Sequence, residues 1–257
     1  MKILFIGDIV GRSGRNTVKA ILSRLVKKYE VDLVVANGEN LAGGKGMTEE
    51  KYKEMIEKGI DYFTSGHHIF AQKDFLSLLD RLKVLRPLNY PAGVLGKGYV
   101  ELAAKGEKVA IINLQGQVFM DEETNNPFHA ILEILPKIRA KNIVVDFHGE
   151  ATSEKQAMGY FLDGKVSAVL GTHTHIQTSD AQILPRGTGY ITDVGMVGAE
   201  NSILGAEKEA VIEHFLTASP WRYEVAKGRG IFQAVIIELK DGKCDKIESI
   251  NEMSKEG

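Results

Sequence analysis

The chain has 257 residues, 44% hydrophobic and 26% charged, the balance of an ordinary globular protein and length enough for one large buried core. Lys and Arg number 32 against 34 Asp and Glu, so the formal charge of −2 excludes a bulk positive field for nucleic acid or an anionic membrane. An anionic substrate therefore needs a local positive centre, and the single cysteine, Cys244, excludes an internal disulfide and fits a reducing compartment.

After Lys2, the four apolar residues Ile3–Ile6 predict a buried strand and are too few for a signal-peptide core. No other run approaches a membrane span, so a cytoplasmic protein without membrane association is expected. Gly11–Gly14 predicts a loop opening a helix that runs to about Lys28. Asp32–Ala36 predicts a second strand, and Thr48–Lys58 a helix with Thr48 as its N-cap. A short strand at Asp61–Thr64 and a helix around Lys73–Leu82 follow, then a fixed proline-rich loop at Arg86–Pro91. Lys108–Leu114, Ile143–Phe147, Val166–Leu170 and Tyr190–Thr192 predict strands; Phe128–Ala140, Ser153–Leu162 and Lys208–Leu216 predict helices. Gly230–Leu239 and Lys246–Ile250 read as a closing strand pair. With no linker, repeat or charge block, the alternation predicts one compact α/β domain over residues 1–257.

Metal-capable side chains collect at the predicted strand ends. Asp8 follows Ile3–Ile6, Glu39 and Asn40 follow Asp32–Ala36, and His67 and His68 follow Asp61–Thr64. His148 ends Ile143–Phe147, and His173 and His175 follow Val166–Leu170. Open α/β sheets form their sites there, where strand C-termini converge and loops are free to vary. Carboxylate, carboxamide oxygen and imidazole make a mixed donor set suited to Mn, Fe, Zn or Ni. The seven candidates Asp8, Glu39, Asn40, His67, His148, His173 and His175 exceed the needs of one tetrahedral ion and suit two if a carboxylate bridges. Such ions would polarise a phosphoryl oxygen and lower the pKa of a bridging water from about 15.7 towards about 7.

Each residue has a plainer reading when taken singly. A strand-end histidine is more often a hydrogen-bonded structural residue, Asp8 a helix N-terminal partner, and Glu39-Asn40 a turn. Their joint occurrence argues otherwise: five of the seven histidines stand at these strand ends, leaving His129 and His214 in predicted helices as structural residues. Two nucleotide motifs fail on spacing. Gly7–Gly14 is not G-x-G-x-x-G, and near Gly43–Gly46 a phosphate loop would need glycine at Glu39 and Ser or Thr at Gly46. Gly43–Gly46 is read as a mobile loop over the site or a plain surface turn.

Several blocks carry a family pattern. They are Ile6–Gly11, Asn37–Asn40, Arg86–Pro91, Asn113–Gly116, Val145–His148, Thr152–Ala157, Gly171–His175 and Thr192–Met196. Through them, from Lys2 to about Gly230, the chain resembles the YmdB-like family of bacterial calcineurin-type metallophosphoesterases. The resemblance implies a four-layer α/β/β/α sandwich, two mixed sheets flanked by helices, holding two divalent or trivalent ions (Fe, Mn or Zn). It implies hydrolysis of phosphodiesters, with 2′,3′-cyclic nucleotides the activity linked to the family, and the expected mechanism is attack by a metal-bridging hydroxide. Asp8, Asn40 and His175 would hold one ion, His148, His173 and position 67 the other, Glu39 would bridge, and His68 would act as general acid. Where the family carries Gly-Asn-His followed by Thr-Trp-Asp, this chain reads Gly66-His67-His68-Ile69-Phe70-Ala71. Imidazole at position 67 would make that site richer in nitrogen and incline it towards zinc, iron or nickel over manganese.

The expected partner is a small phosphodiester, a cyclic nucleotide or an RNA end, and a homo-oligomer is the expected assembly. Two alternatives stay open. One is a phosphomonoesterase or phosphoprotein phosphatase, and the other a nucleotide- or RNA-binding regulatory protein with weak turnover.

Overall fold

The computed structural model describes residues 1–220 and 222–254. The chain first lays down β1 (Lys2–Ile6), β2 (Asp8–Ile9), α1 (Gly11–Tyr29), β3 (Leu33–Asn37), α2 (Glu49–Glu57), β4 (Tyr62–Thr64) and α3 (Lys73–Leu76). It then builds a second sheet from β5 (Tyr99–Ala104), β6 (Glu107–Gln115), α4 (Pro127–Ile134), β7 (Asn142–His148), α5 (Thr152–Leu162), β8 (Ala168–Thr172), β9 (Gln182–Ile183) and β10 (Gly189–Ile191). Finally it returns to the first sheet with β11 (Met196–Ala199), α6 (Lys208–Thr217), β12 (Gly230–Lys240) and β13 (Lys243–Met253).

Both sheets are mixed. The first has 7 strands: β1, β3 and β4 run parallel, and β12 pairs antiparallel with β1, β11 and β13. The second has 6: β6, β7, β8 and β10 run parallel, edged by antiparallel β5 and β9.

Three apolar seams divide the molecule into four layers. Leu4, Ile6, Val34 and Phe63 pack under Val18, Leu22 and Leu25 of α1 and Met55 of α2. Ile3, Phe5, Val35 and Val235 on the other face of that sheet meet Val109, Ile111, Val144 and Leu170 of the second. Ile112, Val145 and Val169 then pack against Ile131 of α4 and Met158 and Leu162 of α5. Strands covered on both faces need apolar residues at successive positions, which is why Ile3–Ile6 is an unbroken run. Burying each such side chain stabilises by about 1.5–3 kcal/mol. The α/β/β/α architecture expected from the family resemblance is the one observed.

Several local expectations need correction. Gly11–Gly14 is already helical, because α1 must start close against the sheet: a Cβ at Gly14 would lie 2.3 Å from the carbonyl oxygen of Val197. The predicted Lys73–Leu82 helix closes after Leu76 and continues in i→i−3 turns, with no side-chain cap at Gln72. The predicted Phe128–Ala140 helix ends at Ile134, where Pro136 withholds an amide and the chain tightens into a 3₁₀ turn over Leu135–Lys137. The Val166–Leu170 strand lies two residues later, at Ala168–Thr172. β5 was not foreseen, being an edge strand only half buried, nor were the two-residue strands β2 and β9, nor β11.

The terminal pair is longer than expected because Asp241-Gly242 makes a two-residue turn, φ 49° and 86°, between the paired Lys240 and Lys243. Positive φ at both positions matches the right-handed twist of the flanking strands. Cys244, in a polar stretch of sequence, is 4% exposed, and burial pushes its thiol up to about 11. Iodoacetamide at pH 8 is expected to leave it unmodified until denaturant is added, as mass spectrometry would show. No helix among the described residues is long and apolar enough to cross a membrane.

Candidate functional site

Every candidate side chain sits at or just beyond the C-terminal end of a strand, and the two sheets contribute from opposite sides. Asp8 opens β2 after the Gly7 turn, Glu39 and Asn40 follow β3, and His67 and His68 open a 3₁₀ turn after β4. From the second sheet, β7 ends on His148, and His173 and His175 follow β8. Asp8, Glu39, Asn40 and His148 are buried.

The structure brings all eight residues together. Glu39 is central: its Oε1 lies 3.3 Å from His148 Nε2 and 3.3 Å from His68 Nδ1, and its Oε2 lies 3.7 Å from His67 Nδ1. One ligand atom from each of Glu39, His67, His148 and His173 falls within 4.8 Å of the others. Imidazole at position 67 therefore reaches the same group that the family's carboxamide was expected to join. On the other side of Glu39, Asn40 Nδ2 lies 3.1 Å from His175 Nε2, which lies 3.8 Å from Asp8 Oδ1.

The site's electrostatics fit a cation. Asp8 Oδ1 and His67 Nδ1 are buried without a hydrogen-bond partner, a costly arrangement unless something else satisfies them. Burial raises the Asp8 carboxyl well above its ordinary value. Burial, then the neighbouring His148, brings His173 down to about 2. Burial likewise brings His67 down to about 4 against the pull of Glu39, so both rings are neutral and offer lone pairs. His148 goes the other way: burial opposes its charge, but Glu39, Asp8 and Asp146 outweigh it and hold it at about 9. Without a metal, a proton on His148 is thus the positive charge facing Glu39.

Partner chemistry assigns the ring nitrogens. Thr172 Oγ1 donates to Asp146 Oδ1 at 2.7 Å and so accepts from His148 Nδ1 at 2.9 Å, leaving Nε2 for the cluster. His175 Nδ1 donates to the Leu204 carbonyl at 2.9 Å, again leaving Nε2 inward. The backbone is strained here, with φ of 106° at His173 and 64° at His175. Two carboxylates hold it: Asp8 Oδ2 accepts the His173 amide at 3.2 Å, and Asp193 Oδ2 the Thr174 amide at 3.0 Å. Asp193 in turn is paired with buried Lys155 Nζ at 2.7 Å.

Sequence reasoning missed Asp146, Thr172, Lys155, Asp193 and Glu150, although all but Glu150 lie within the motif blocks it singled out. Glu154, beside Lys155, accepts the amides of Gln117 and Val118 and so fixes the loop after β6. The Thr152–Ala157 block is thus scaffolding, with no member in the cluster itself. A cleft of about 260 Å³ opens onto the site, lined by Glu39, His67, His68, Glu150, His175 and Tyr223. Gly44, at φ 91°, also lines it, so close under the Tyr223 ring that a Cβ would lie 2.2 Å away. His129 and His214 lie outside the cluster, on α4 and α6.

Gly66 is a second close approach, where a Cβ would lie 2.2 Å from His148 Nε2 and 2.4 Å from Glu39 Oε2. The variant Gly66→Ala is expected to disturb both side chains, lowering bound metal by at least about tenfold in affinity while the far core stays intact. Metal analysis after dialysis, alongside circular dichroism, checks this.

The chain is similar to several known proteins. A family model described as YmdB-like protein matches residues 4–250. A Bacillus subtilis (strain 168) protein named 2′,3′-cyclic-nucleotide 2′-phosphodiesterase is 45% identical over 97% of this chain and 96% of its own. A crystal structure of a hypothetical protein from Thermus thermophilus superposes with a TM-score of 0.95 at 41% identity, covering 99% of this chain and 100% of that one. A crystal structure of a novel phosphatase from Mycoplasma pneumoniae gives 0.94 at 37%, covering 99% and 94%.

Proposed function

The chain belongs to the YmdB-like protein family, and from that premise we propose that it is a dinuclear metal-dependent phosphodiesterase that hydrolyses 2′,3′-cyclic nucleotides. The observation that carries this reading is the buried cluster itself: carboxylates, a carboxamide and imidazole lone pairs converge around Glu39, with Asp8 Oδ1 and His67 Nδ1 left unsatisfied. Asp8, Asn40 and His175 would hold one ion, His67, His148 and His173 the other, and Glu39 would serve both. When bound, such ions supply Lewis acidity to a phosphoryl oxygen and acidify a coordinated water.

The remaining chemistry falls to the chain. Burial of Glu39 and His148 keeps competing water from the inner face of the cluster, while the cleft admits the phosphodiester from the His68 side. His68 Nδ1 is held by Asn40 Oδ1 at 2.7 Å, which orients the ring and leaves Nε2 to protonate the departing ribose 2′ oxygen. The main-chain amide of His68 donates to Glu39 Oε2 at 3.1 Å, so acid and bridging carboxylate are fixed to each other. A donor set this rich in imidazole favours zinc or iron over manganese.

The test is a substrate panel of 2′,3′-cyclic nucleotides, dinucleotides and phosphomonoesters, assayed after chelation and again after adding back Mn, Fe or Zn. Turnover of 2′,3′-cyclic nucleotides that chelation abolishes and metal restores is expected. Turnover confined to monoesters would reassign the enzyme as a phosphatase. Tight nucleotide binding with no metal-dependent turnover would point to a regulatory binding protein instead.

A further inference from the structure

Two of the imidazoles in the cluster follow one rule: one nitrogen faces the other donors and the second is tied outward to an acceptor. For His148 that acceptor is Thr172 Oγ1, and for His175 it is the Leu204 carbonyl. His173 shows the same division with the nitrogens exchanged. Its Nδ1 lies 3.2 Å from His148 Nε2, inside the cluster, and its Nε2 lies 3.0 Å from Glu150 Oε2.

We propose that Glu150 is a positioning residue for metal loading: it accepts the Nε2–H of His173 and so turns the Nδ1 lone pair towards Glu39, His67 and His148. The inference rests on the two-ion reading above. His173 needs such a partner more than the other two rings do. The His148 ring is fully buried and the outward nitrogen of His175 is tied to a main-chain carbonyl, whereas the His173 side chain is 20% exposed on a strained backbone. Without an acceptor at Nε2, water would take its place there, and only the contact of Nδ1 with His148 would be left to select the tautomer. A carboxylate on the outer nitrogen fixes one tautomer and raises the basicity of the inner one, and removing such a partner weakens metal binding by about 10–100-fold. Glu150 is itself 48% exposed, so its loss leaves no buried cavity.

The decisive experiment compares Glu150→Ala with Glu150→Gln, whose amide oxygen can still accept. Long-range ¹H–¹⁵N correlation spectra of the metal-free proteins read the His173 tautomer, and competition with a chelating dye reads Zn²⁺ affinity at each site. Wild type and Glu150→Gln should show His173 protonated on Nε2, with affinities within about threefold of each other. Glu150→Ala should show mixed tautomers and one of two Zn²⁺ ions bound about 10–100-fold more weakly. Unchanged affinity or an unchanged tautomer in Glu150→Ala overturns the proposal. So does a Glu150→Gln variant as weak as Glu150→Ala with its tautomer intact, because charge and not orientation would then be at work. If wild type itself binds no Zn²⁺, the two-ion reading fails, while the tautomer measurement still decides whether Glu150 fixes His173. A variant that fails to fold is recognised by circular dichroism, and the Glu150→Gln spectra then carry the tautomer test.

Discussion

The variant His68→Ala is expected to lower kcat for 2′,3′-cyclic nucleotides by about 10²–10⁴-fold while both metal ions stay bound. The reason lies in how His68 is attached. Its side chain meets Asn40 Oδ1, but its link to Glu39 includes the main-chain amide on Glu39 Oε2, which alanine retains. Steady-state rates and metal content, measured on the same preparations, separate the two roles. A diester with a nitrophenolate leaving group adds a control, because that anion departs without protonation and its rate should fall far less. Loss of a metal ion in His68→Ala would make His68 a ligand or a structural residue instead of an acid.

The second large effect concerns stability. Lys155 and Asp193 are 1% and 0% exposed and paired at 2.7 Å. Asp193 also accepts the amides of Thr174 and Gly195, at 3.0 and 2.8 Å. The variant Lys155→Met strands the carboxylate in the interior, where an uncompensated charge costs about 3–5 kcal/mol. Urea unfolding of the metal-free protein should show a loss of that size, and adding Asp193→Asn should restore part of it, because the amide keeps acceptors without the charge. A loss below about 1 kcal/mol would mean that Asp193 relaxes to water. Asp193 fixes the Thr174 amide between His173 and His175, so metal affinity should fall together with stability.

Much of the site was legible in the sequence because strands announce themselves and their ends are countable. Ile3–Ile6, Asp61–Thr64 and Ile143–Phe147 are each followed within three residues by a metal-capable residue, and the structure brings all eight candidates together around Glu39. The residues that hold those candidates in place gave no comparable signal. Asp146 sits in a strand, and its hydrogen-bonded link to His148 runs through Thr172 of the neighbouring strand. Lys155 lies on α5 and meets Asp193 from a distant loop. Glu150 looks like an ordinary surface carboxylate until His173 folds against it. Element ends were misjudged where a neighbour set them, as with Gly14 against the Val197 carbonyl.

By itself the sequence determined the principal strands, which residue types stand at their ends, and, through its motif blocks, the family and its four-layer fold. Apolar runs and ligand types are local properties, readable one segment at a time. Only the tertiary structure decided that ligands from two different sheets meet around Glu39, that His67 reaches them, and which nitrogen of each imidazole faces inward. Those facts depend on contacts between residues far apart in the chain, from His148 with Thr172, 24 positions apart, to Asn40 with His175, 135 apart, and no local pattern encodes them.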